Sequence, residues 1–331
     1  MDDFFRYVNL MTMIGSDNVS TLKQQNIIEK IEANDFEWLY NHFSDYFQDV
    51  TSLVELKSIL KEYNKISTTH TLFRHIKVNK TDEFIWIADN GQAGVSVTLN
   101  KYNEIVSMVL LPLEKNKSQK LTKQYYTMPI EGEYFVSAGG DNELLNHHFN
   151  FKYQRNAYDL TMVNEDMTYQ GTPNQNENYY CYGQSVVAPS NGKVVQTLKN
   201  IKDNTPGEAN TNHPEGNFVI IQHQLNEYSI VAHLQSDSIK VDVGDIVRRG
   251  QHIANIGNSG NSSEPHLHFH IMNKIKTHSG YTYKIKFLDQ NEPLRGDKVY
   301  YSGDKMKIES HHALTNVLKN YGLHLLHRFK N

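Results

Sequence analysis

With 331 residues the chain is long enough for about two domains with sizeable cores. Its 33 basic and 37 acidic residues leave a net charge of −4, which argues against nucleic acid as the main partner. A single cysteine, Cys181, excludes an intrachain disulfide, a redox pair and a cysteine-based zinc site.

The N-terminus, Met1-Asp2-Asp3-Phe4-Phe5-Arg6, lacks the basic start and unbroken apolar run of a signal peptide. No stretch is apolar over the length that spans a bilayer. From about Leu22 to Tyr63 the spacing predicts two amphipathic helices. Ile27, Ile28, Ile31, Phe36, Leu39 and Phe43 line the first, and Leu53, Leu56, Ile59 and Leu60 the second. Four strand-like runs follow, at 71–76, 83–87, 94–99 and 105–111. With hairpin turns at Asp89-Asn90-Gly91 and at 100–103, they suggest a meander packed on those helices. The polar run from Glu114 to Lys120 reads as a linker.

Beyond it the chain becomes rich in short alternating strands separated by Gly, Asn and Asp turns. Cys181 sits among tyrosines with no neighbouring base, which suits buried packing better than nucleophilic catalysis. The densest chemistry lies in Glu264-Pro265-His266-Leu267-His268-Phe269-His270. In a strand, His266, His268 and His270 share one face, and Leu267 and Phe269 point into a core. Imidazoles aimed together suit metal binding and proton transfer; the plainer reading is a polar strand face rich in histidine. After about Lys305, Leu314, Val317, Leu318, Tyr321 and Leu325 at helical spacing predict a packed terminal helix. His311, His312, His324 and His327 lie there and are not read as a second metal site.

Upstream of the histidine triplet stand, in order, Gly183-Gln184-Ser185-Val186-Val187-Ala188-Pro189, Gly216-Asn217-Phe218-Val219-Ile220-Ile221, Ala232-His233-Leu234, Val243-Gly244-Asp245 and Gly257-Asn258-Ser259-Gly260. This order and spacing closely resembles the M23 family of zinc metallopeptidases, the lysostaphin and LytM-like enzymes that cut peptidoglycan peptides. The resemblance covers roughly residues 130–305. It implies a mainly antiparallel β catalytic domain of the duplicated-hybrid-motif type, and a zinc ion with three protein ligands and a fourth position for water. It also implies His268 as one ligand and His233 and His266 as catalytic.

The family's usual His-x-x-x-Asp motif is missing before Gly183, since no histidine lies between His148 and His213. Instead, Asn146-His147-His148 followed by Gln154-Arg155-Asn156-Ala157-Tyr158-Asp159 resembles an M23 subgroup, which implies His148 and Asp159 as the other ligands. His147 is the alternative to His148, because neighbouring strand residues face opposite ways and only one easily reaches a metal. Pairing with Arg155 is the plainer role for Asp159. His213 and His223 read as surface or cleft-wall residues. His270 stands where the family commonly has an acidic residue, a change in what supports a ligand imidazole.

The resulting organisation is an α+β accessory domain at 1–113, a linker at 114–124, the peptidase domain at 125–304 and a helical tail at 305–331. The first unit resembles the DUF3887 domains that precede enzymes in Gram-positive bacteria, which implies a binding, spacing or capping role. The resemblance as a whole implies a zinc endopeptidase acting on cross-bridge or stem peptides of peptidoglycan. The alternatives are a degenerate M23-like domain that binds the wall or regulates another hydrolase, and a metalloprotease acting on proteins. A wall substrate implies an extracytoplasmic place, whereas the missing leader implies a cytoplasmic one unless another export route exists.

Overall fold

The structure, a computed structural model, describes residues 24–113, 119–288 and 290–301. The predicted C-terminal helix with its four histidines, and 114–118 of the polar run, lie outside the described residues.

The N-terminal part forms four short helices, α1 (Gln24–Glu32), α2 (Phe36–Asn41), α3 (Asp45–Val50) and α4 (Leu53–Tyr63), where the sequence suggests two. The first predicted helix breaks at Asn34, which takes a left-handed φ of 56° that asparagine tolerates. Asp35 then accepts a hydrogen bond from Trp38 N and starts α2 afresh. Ser44 caps α3, and Ser52 caps α4 in a reciprocal box with Glu55. Ile27, Ile28, Ile31, Leu39, Phe43, Leu56 and Leu60 still meet in one core. Ile59 is exposed instead, because Leu56, Leu60 and Tyr63 already fill the narrow inward stripe of α4.

Strands β1 (His70–Val78), β2 (Thr81–Ala88), β3 (Ala93–Leu99) and β4 (Ile105–Pro112) form the predicted antiparallel meander. Alternation sends Phe84, Trp86, Val95 and Val97 into the helix core and Ile85 to the opposite face. The sheet is therefore buried on both sides.

A larger, mostly antiparallel sheet forms the framework of the remaining described residues. Its main path runs β12 (Ile246–Val247), β9 (Gly192–Leu198), β10 (Asn217–Gln222), β11 (Tyr228–Leu234), β14 (Leu267–Met272), β7 (Tyr158–Thr161), β6 (Gly132–Ala138) and β16 (Lys298–Tyr301). β15 (Thr282–Phe287) branches from β14 and pairs in parallel with β5 (Leu121–Tyr126), while β8 (Ser185–Val187) and β13 (His252–Asn255) form a separate pair. Val231, Leu160, Leu267, Phe269 and Ile271 lie in its core, with Cys181 buried among them as expected. The decisive register is at β14, where His268 stands opposite Asp159 of β7 on one side and Ala232 of β11 on the other. Among the described residues no helix is long and apolar enough to cross a membrane.

Candidate metal centre

Asp159 is the hub of the site. Because it pairs with His268 across the sheet, His268 Nδ1 lies 2.9 Å from Asp159 Oδ1. The loop between β6 and β7 brings His148 Nε2 to 2.9 Å and His147 Nε2 to 3.5 Å from Asp159 Oδ2. His266 Nε2 is 3.9 Å from Oδ1. The expectation that only one of His147 and His148 could face Asp159 fails, because the segment is a series of turns rather than a strand and strand alternation does not apply. The two differ in seating: the His148 side chain is 12% exposed and that of His147 41%. Arg155 takes no part, since its Nε donates to Phe149 O and its guanidinium lies over the Phe149 ring.

Burial works to raise the pKa of Asp159, but His148, hydrogen-bonded to it, together with the hydrogen bond to His268 and the nearby His266, holds the carboxyl well below the usual range. Burial pushes His268 down, against the pull of Asp159, so its imidazole favours the neutral form that a metal requires. Its other nitrogen, Nε2, lies 3.0 Å from Nδ1 of the buried His270, on the same strand face as predicted. Were a metal to replace the proton on His268 Nδ1, Nε2–H would donate to His270, the usual service of an outer partner to a ligand imidazole.

Imidazole nitrogens and a carboxylate oxygen are donors that zinc accepts, and bonds of about 2.0–2.2 Å in a tetrahedron set neighbouring donor atoms roughly 3.3 Å apart. His148 Nε2 and His268 Nδ1 each lie 2.9 Å from an Asp159 oxygen, a little inside that spacing, so two imidazoles and a carboxylate of the kind zinc takes converge here. The ligating atoms of His147, His148 and Asp159 also lie within 4.8 Å of one another. The set with His268 is the better enclosed of the two, because His268 is buried and His147 is more open to solvent.

Two further imidazoles border this cluster. The His233 ring centroid is 4.7 Å from that of His266 and 5.8 Å from that of His268. His233, the penultimate residue of β11, has φ at 59°, a strained conformation of the kind that gathers at functional sites. Its Nδ1–H donates to Ser259 O, and its buried ring is held well below the ordinary histidine pKa, by burial first and by His266 and His268 next. Gly216 packs on that carbonyl so closely that a Cβ would lie 2.3 Å from Ser259 O. His266 is fixed likewise, with Nδ1–H donating to Glu264 O. A carbonyl only accepts, so both rings present an unprotonated Nε2 when neutral.

A cleft opens beside His233, bordered by Tyr153, Glu215, His233, His268 and His278. His278 Nε2 lies 2.9 Å from Glu215 Oε1 across it. None of Tyr153, Glu215 and His278 is conspicuous in the sequence, because loops that meet only in the folded chain leave no local pattern. His213 is exposed, but His223 is neither a surface nor a cleft-wall residue. It is buried, with its ring nitrogens at Asn191 O and Ser229 Oγ, so its polar groups are satisfied inside the fold. Asn146 is a further residue whose role only the folded loop reveals. Fully buried, its Nδ2 reaches Gly140 O, Arg155 O and Ala157 O, and its Oδ1 accepts from His148 N.

The sequence pattern of Peptidase family M23 matches residues 178–279. The peptidoglycan DD-endopeptidase ShyB of Vibrio cholerae serotype O1 is 34% identical over 91 residues, 27% of this chain and 18% of the relative. The chain thus spans less than a fifth of that relative's length. Lipoprotein NlpD of Yersinia enterocolitica is 34% identical over 95 residues, 29% of this chain and 84% of the relative. Among solved structures, the catalytic domain of lysostaphin from Staphylococcus simulans is 25% identical, over 34% of this chain and 88% of that one, with a TM-score of 0.24. The family's pattern runs through the strands and turns that carry His233, His266 and His268, and a relative is matched over most of its own length: this chain belongs to peptidase family M23.

Proposed function

We propose that the chain is a zinc-dependent endopeptidase that hydrolyses peptide bonds of bacterial peptidoglycan, in its cross-bridges or stem peptides. The observation that carries this reading is the convergence of His148 and His268 on Asp159 beside the imidazoles of His233 and His266, each held through Nδ1 by a backbone carbonyl, with His233 and His268 lining a cleft. His148, Asp159 and His268 would hold the zinc, which when bound polarises an amide carbonyl and activates water. Neutral His233 is placed to take a proton through Nε2 and pass it to the leaving amine. His266 is placed to steady the negative charge that develops on the carbonyl oxygen. Their Nδ1–H groups stay on Ser259 O and Glu264 O throughout, which keeps both rings in orientation.

The substrate class rests on the family and on the named activity of the Vibrio relative. A wall substrate would put the site of action outside the cytoplasm. The division into a DUF3887-like unit at 1–113, a linker at 114–124, a peptidase unit at 125–304 and a tail at 305–331 belongs to the same proposal. Incubation with purified cell walls and, separately, with an unfolded protein tests the substrate. New amino termini should appear from the walls alone; cleavage of the unfolded protein at a similar rate would make the chain a general protease.

The first ligand is tested by setting His148→Ala beside His147→Ala. His148 is the better buried and the nearer to Asp159, so its loss should remove zinc, whereas His147→Ala should keep most of it. Elemental analysis of both variants decides, and the reverse outcome would move the ligand to His147.

A further inference from the structure

The loop that carries His147 and His148 has no regular structure of its own, being turns and bends over 139–150. Leu144 and Leu145 anchor it from outside. Both are buried, in one cluster with Ile76 of β1 and Ile85 of β2, and Val78, Ile87 and Leu111 border it. On β3 the residue beneath Leu144 is Gly94, where a Cβ would lie 2.5 Å from Leu144 Cδ1. The N-terminal sheet is therefore hollowed where the leucine enters.

A polar strut runs alongside. Ser96 Oγ donates to Glu83 Oε1 at 2.6 Å, and Arg295 Nη2 lies 2.7 Å from Glu83 Oε2. Arg295 Nη1 donates to Glu83 Oε1 and to Leu144 O, both at 3.1 Å. From Leu145 the path to the donors is one residue long, because Asn146 follows and clamps both His148 N and the approach to Asp159. The loop, Asp159 and the sheet beneath all lie outside the stretch that matches the family pattern.

We infer that the β1–β4 sheet is the platform of the metal centre, with Leu144, Glu83 and Arg295 as positioning residues for His148. The inference rests on the zinc reading above. The N-terminal sheet is then an integral part of the site rather than a spacer or a wall-targeting module, and metal affinity depends on it.

The test uses the full chain and two readouts: zinc affinity by chelator competition, and amide hydrogen exchange at 146–149 in metal-free protein. Leu144→Ala and Glu83→Gln are compared with Leu144→Met and with Val97→Ala, which truncates an equally buried side chain on the face towards the helices. Leu144→Ala and Glu83→Gln should weaken zinc binding by about 10–100-fold, as loss of support behind a ligand does, and speed exchange at 146–149. Leu144→Met and Val97→Ala should leave both readouts near those of the parent. Indistinguishable behaviour of Leu144→Ala and Val97→Ala would overturn the platform. Should Leu144→Ala not fold, Glu83→Gln, which conserves volume, decides alone. Should the parent bind no zinc, the zinc reading fails, and exchange measured without metal still decides whether the sheet holds the loop.

Discussion

Replacing His268 by alanine is expected to abolish zinc retention and hydrolysis together. Its Nδ1 is one of the three proposed donors, with His148 Nε2 and the Asp159 carboxylate, and two protein ligands rarely keep a catalytic zinc. Outer partners alone are worth about 10–100-fold in metal affinity, so loss of a ligand should exceed about 100-fold. His270, the neighbour on the same face, cannot take its place, because it is buried with its Nδ1 against His268 rather than Asp159. Zinc measured by elemental analysis after gel filtration should fall to background. Full occupancy in this variant would remove His268 from the metal site.

Replacing His233 should instead leave zinc in place and lower turnover by about 100-fold or more, the usual effect of deleting a general base or an oxyanion donor. His233 makes no contact with Asp159 within hydrogen-bond reach; its Nδ1 partner is Ser259 O. Alanine at a φ of 59° carries the same left-handed strain of roughly 1–2 kcal/mol as His233, without the ring's hydrogen bond to Ser259 O to hold it. His233→Asn separates the two effects, because asparagine tolerates that conformation. Both variants should lose turnover equally if the imidazole matters. Near-normal turnover in His233→Asn with normal zinc content would show that the ring only packs beside the cleft.

How far the site can be read before folding depends on the range of the interaction. The alternation of His266, His268 and His270 against Leu267 and Phe269 is legible because strand period is a local property, and β14 follows it. The β1–β4 meander is legible for the same reason, from its alternation and its asparagine-rich turns. The pairing of Asp159 with His268 spans 109 residues and depends on sheet register, which no local pattern encodes. It became visible only through resemblance to a family. Two readings failed where local rules were applied beyond their domain. Strand alternation does not hold for His147 and His148, which occupy turns, and helical spacing does not carry the helix through Asn34, whose left-handed backbone ends it. The docking of Leu144 and Leu145 on the N-terminal sheet was equally invisible, because two adjacent leucines in a polar loop suit many kinds of burial.

The most direct test of the central claim is mass spectrometry of the soluble products released from purified peptidoglycan by three preparations: zinc-loaded protein, chelator-stripped protein, and stripped protein to which zinc has been restored. The account predicts peptides with one new amino terminus per bond cut from the loaded and restored samples, and none from the stripped one. Release that is indifferent to the metal, or no release from fully zinc-loaded protein, would contradict it.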